Sequence, residues 1–80
     1  MPSTELQEIL SSLNEARATI ITNHFAWWVE GAVLAEQYPE QAPIILAAIE
    51  LKTKEVDAII EQLDLRILLY TELSILTLTE

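Results

Sequence analysis

Apolar residues recur along this chain at helical spacing, in two long runs separated by one proline-bounded turn. In the second run Ile49, Val56, Leu63 and Tyr70 repeat every seven residues, with Ile45, Ile59, Ile60, Ile67 and Leu73 between them. That spacing places one apolar stripe on a long helix. No Gly or Pro follows Pro43, so no breaker interrupts the run. In the first run the sevenfold series is Leu6, Leu13, Ile20, Trp27 and Leu34, with Ile9, Leu10 and Ala16 at intermediate positions. The pattern predicts helices over about 4–37 and 43–79, folded back on each other as an antiparallel hairpin in a single helical domain, 1–80.

Local signals agree with these bounds. Thr4 and Gln7 have the spacing of a capping box, in which the hydroxyl accepts from a backbone N–H and the amide reaches back. Glu5 and Glu8 fall where the positive end of the helix dipole favours them. Tyr38-Pro39-Glu40-Gln41-Ala42-Pro43 is the turn: each proline pushes its predecessor out of the helical region, and Pro43 suits a first helical turn. Three local alternatives stand against the plain hairpin. Gly31 weakens its helix by about 1 kcal/mol relative to Ala and either ends it early or lets another helix approach closely. Asp64 has the chemistry to cap a separate third helix, and continuity is preferred because no Gly or Pro lies nearby. Residues 74–79 alternate partly and are rich in β-formers, so a short strand is the third alternative.

Each helix changes character along its length. The first has a polar face at Gln7, Glu8, Ser11, Asn14 and Glu15, which gives way after Ile20 to Ile21, Phe25, Trp28, Val29 and Ala32. The second is polar on one face through Glu50, Lys54, Asp57, Glu61 and Asp64, then apolar on most sides from Leu65 onward. A helix that is apolar nearly all round is buried on more than one side. A lone hairpin would expose Ile21, Phe25 and Trp28 near its loop and Leu68, Leu69 and Leu76 near its termini. Trp27 and Trp28 point about 100° apart, so a single cluster does not bury both. The predicted interface is therefore Ile21, Phe25, Trp27, Trp28, Leu65, Leu68, Leu69, Leu73 and Leu76. Two copies would cover it as a four-helix-bundle-like homodimer, or as a higher even oligomer.

Charge narrows the partners. Acidic residues number 13 against 4 basic ones, a net charge of −9. Such a surface repels nucleic-acid phosphates and anionic membranes alike, so direct contact with either is not expected. The longest stretch without Asp, Glu, Lys or Arg, Ala18–Val29, is too short for a membrane span. There is no cysteine, hence no disulfide or thiolate site, and a cytoplasmic location is expected. The first residues lack the basic and apolar regions of a signal peptide.

No catalytic constellation emerges. His24 is the single histidine and has no carboxylate three or four residues away, which argues against a helical metal pair. The acidic face Glu50, Asp57, Glu61 and Asp64 reads as a solvated helix surface before it reads as a cation site. Glycine-rich phosphate loops and a Gly-x-Ser-x-Gly setting are absent from the sequence. No cofactor is expected. The sequence points to a non-enzymatic oligomerisation or protein–protein interaction module that scaffolds or regulates a protein partner. The alternative is a small acidic inhibitor of the antitoxin, immunity or phage type, masking a basic site on a nuclease or nucleic-acid-binding protein.

Overall fold

The computed structural model describes residues 3–78, and its architecture is the antiparallel hairpin. Helix α1 runs Ser3–Gln37 and helix α2 runs Ala42–Leu78. A 3₁₀ turn, Pro39–Gln41, joins them. Its geometry follows from Pro39: Tyr38, held by the proline that follows it, leaves the helix at φ −126° and ψ 72°. The Tyr38 N–H still donates to the Leu34 carbonyl at 2.9 Å, and Gln41 N–H donates to the Tyr38 carbonyl at 2.9 Å. The last carbonyls of α1 are thus met by the chain as it turns. α2 begins one residue before Pro43, which sits in its first turn, where a missing N–H costs nothing.

The three local alternatives to the plain hairpin fall away, and one expectation changes. α1 passes Gly31 without a break and continues to Gln37. A Cβ placed on Gly31 would lie 2.6 Å from Ile49 Cδ1 and 3.0 Å from Ile49 Cγ1. The glycine therefore serves close approach of α2, not helix termination. α2 likewise continues through Asp64 and through the β-former-rich tail, and no strand forms among the described residues; Thr79 lies outside them. Thr71 and Thr77 turn their hydroxyls back onto the carbonyls of Ile67 and Ser74, at 2.7 and 2.9 Å. Back-bonding of this kind satisfies Thr within a helix, and its β-propensity does not prevail. The expectation that changes is at Thr4. α1 already includes Ser3, so Thr4 lies in the first turn, and the Gln7 amide reaches across to Ser74 Oγ at 3.5 Å instead of back to a cap.

The two stripes meet along the full length of the hairpin. Leu6 and Leu13 of α1, and Ile49 and Val56 of α2, are the buried apolar side chains, each pair one heptad apart. Ile20, Leu63, Ile67 and Tyr70 are half-buried beside them, while Ile59 is turned outward at 49% exposure. One ion pair fixes the register: Arg17 Nε donates to Asp64 Oδ1 at 2.7 Å. The molecule is a rod of 62 × 16 × 12 Å with a radius of gyration of 18.1 Å. A compact chain of this length would have a radius of gyration of about 12 Å.

Candidate functional site

A two-helix rod has a core on one line and surface everywhere else. Among the described residues four apolar side chains are buried, and eighteen large ones are exposed. All nine residues of the predicted interface are among the exposed ones, from Leu73 at 37% to Phe25 at 65%. They do not form one patch. The helical wheel and the cross-helix contacts divide them among three faces.

The first face is set by the Arg17–Asp64 bond. From Arg17, Ile21, Phe25 and Trp28 follow in steps of four, four and three, so they share its flank of α1. From Asp64, Asp57 and Glu50 recur backward every seven residues on the flank of α2 that meets Arg17. An aromatic row and an acidic row therefore lie side by side. Glu50 is partnered by Lys54 at 3.9 Å, one turn further along the same helix. Glu61 sits at the edge of this acidic row.

The second face is the opposite flank, a shallow groove between the helices. Trp27 lines it with Ile20, Val56 and Ile59, and further toward the loop with Leu34, Ile45 and Ala48. Trp27 leans toward α2 and Trp28 away from it, yet they remain 40% and 48% exposed. The hairpin buries neither tryptophan.

His24 lies beneath this groove, its ring stacked on Trp27 with centroids 6.1 Å apart and planes 21° apart. Its bonding can be assigned from donor counting. Thr53 Oγ1 donates its single proton to the Ile49 carbonyl at 2.8 Å, so toward His24 Nε2, 3.0 Å away, it acts as acceptor. Nε2 therefore carries hydrogen. Nδ1 is enclosed and meets no hydrogen-bond partner among the described residues. Neither nitrogen is presented to a reacting group. Among the described residues no group of three or more His, Asp or Glu side chains is placed to hold a metal ion. No helix among them is long and apolar enough to cross a membrane.

The third face is one that the sequence reading missed. Ile44, Leu51, Ala58 and Leu65 recur every seven residues along α2, and the last three each stand two residues beyond a core-facing position: Ile49, Val56 and Leu63. Two residues are about 200° of helix, so this series faces away from α1. Ile44 and Leu51 are 71% and 63% exposed, more than any other aliphatic residue of either helix. Leu69, at 53%, extends the stripe toward the tail. The signal was present in the sequence as a second sevenfold series, hidden by the stronger one beside it. Compared with protein-family models, with curated proteins and with solved structures, the chain matches none.

Proposed function

We propose that this protein is a non-enzymatic helical oligomerisation module, which associates with itself and through that assembly scaffolds or regulates a protein partner. The observation that carries the reading is the surplus of exposed apolar surface. The chain exposes 6115 Å² at a mass of 9.0 kDa. A compact monomer of that mass exposes about 4,900 Å². The difference, about 1,200 Å² per chain, goes with the rod shape, and among the described residues eighteen large apolar side chains are exposed on that surface. Two hairpins packed as a four-helix homodimer remove that surplus, and higher even oligomers extend the same principle. His24, stacked on Trp27 and bonded to Thr53, supports a packing role for the single histidine. A cysteine-free domain that gains its stability by association suits the reducing cytoplasm.

The test is mass in solution. Static light scattering at micromolar concentration should report twice the chain mass, little changed between low and high salt, because apolar burial is not screened. Leu69→Glu should lower the mass toward one chain, since burying an unpaired carboxylate is costly. A folded species of one chain mass at every concentration overturns the reading.

The aromatic and acidic rows on the first face favour a second reading, an acidic inhibitor that covers a basic site on a nuclease or nucleic-acid-binding protein. Ile21, Phe25 and Trp28 would supply apolar anchors and Glu50, Asp57, Glu61 and Asp64 the complementary charge. Binding of that kind weakens steeply with salt. Trp28→Glu would abolish it and leave self-association intact.

A further inference from the structure

We infer that the second copy docks on the outer stripe of α2, antiparallel to it, with the two-fold axis beside Ala58. This placement rests on the self-association proposed above and names its geometry. When two antiparallel helices are related by a two-fold axis at Ala58, a residue on the stripe some positions before it meets the stripe residue equally far after it on the other copy, and a residue on one flank meets the nearest residue of the same flank. Leu51 then stands opposite Leu65 of the second copy, each seven residues from Ala58. The small Ala47 falls opposite the larger Leu69, so volumes alternate across the seam. Ala58 meets its own copy, which allows the closest approach at the axis.

Charge agrees with the same register. Lys54 and Glu61 lie on one flank of the stripe, four residues before Ala58 and three after it. A two-fold axis perpendicular to the helix pair keeps that flank on the same side. Lys54 of each copy therefore meets Glu61 of the other, twice per dimer. On the opposite flank Glu55 meets the neutral Gln62. The face carrying Ile21, Phe25 and Trp28 behaves differently. An antiparallel pairing there sets α2 against α2 and brings two rows of Glu50, Asp57 and Asp64 together, and juxtaposed like charges oppose association. For antiparallel pairing, electrostatics thus selects the outer stripe of α2 over the aromatic flank.

The seam is long: the 37 residues of α2 span about 55 Å.

Single-cysteine variants test the placement directly, because the chain contains no native cysteine. Ala58→Cys, treated with a short bis-maleimide, should be captured as a covalent dimer in most of the material. Leu51→Cys mixed with Leu65→Cys should cross-link far more than either alone, and Phe25→Cys should remain uncross-linked. Lys54→Glu should raise the dimer dissociation constant about tenfold or more, and Lys54→Glu combined with Glu61→Lys should restore it. If light scattering reports a dimer while Ala58→Cys does not cross-link, or while Phe25→Cys links as well, the stripe is the wrong seam and self-association survives. If the chain is monomeric at every concentration, both the seam and the self-association fall.

Discussion

Gly31 shows how a single side chain that is missing shapes the hairpin. Replacing it with Ala removes a helix-propensity deficit of about 1 kcal/mol and inserts a methyl into the space that Ile49 Cδ1 fills. Ile49 is buried and its β-branched χ1 is stiff, so it yields poorly. Overpacking costs about 1–3 kcal/mol, so Gly31→Ala should lower stability on balance. Ile49→Val removes the clashing Cδ1, and the double variant should lose clearly less than the two single losses added together, in a urea-melt double-mutant cycle. His24 offers a second case. Thr53→Val strands the Nε2 proton and should cost about 1–3 kcal/mol, whereas His24→Leu removes a ring whose Nδ1 is already unsatisfied and should be nearly neutral. Turnover of any kind lost specifically on His24→Leu would contradict that view. Close approach was one of two readings of Gly31 in the sequence, but its partner Ile49 was not legible, nor was the second contact: His24 and Thr53 stand 29 residues apart, and only the register joins them.

At the scale of the helices the sequence was far more informative. Sevenfold periodicity and one Pro-bounded turn suffice to specify two long helices because few competing signals exist: a single Gly and no strand partner for the tail. The predicted starts at 4 and 43 each fall one residue after the observed Ser3 and Ala42, the end at 37 coincides, and the end at 79 lies outside the described residues. The core was partly legible. Leu6, Leu13, Ile49 and Val56 were on the predicted stripes, but Ile59 and Trp27 were as well, and both are substantially exposed. Two straight helices share one line of contact, so stripe membership alone does not decide burial. Leu13→Ala should therefore cost about 2–5 kcal/mol. Arg17→Ala should cost less than about 1 kcal/mol, because the Arg17 and Asp64 side chains are 39% and 50% exposed and solvent screens their pair. Chemical denaturation of the two variants checks the ranking, and equal losses would contradict it.

Taken whole, the chain is a thin rod whose buried line holds few side chains, and its outer surface carries more apolar residues than its core. On the proposed self-association, folding and association are one process. The melting temperature should rise with protein concentration, because mass action favours the assembled state. Differential scanning fluorimetry over two decades of concentration would detect it. The sequence already indicated that a lone hairpin leaves apolar faces uncovered. It could not indicate which face meets which, because that depends on how far each heptad series rotates around α2 relative to α1. Mass is the most direct measurement. Sedimentation equilibrium at micromolar concentration should find a fully helical species of twice 9.0 kDa or an even multiple of it. A stable helical species of 9.0 kDa, with a melting temperature independent of concentration, would contradict the account.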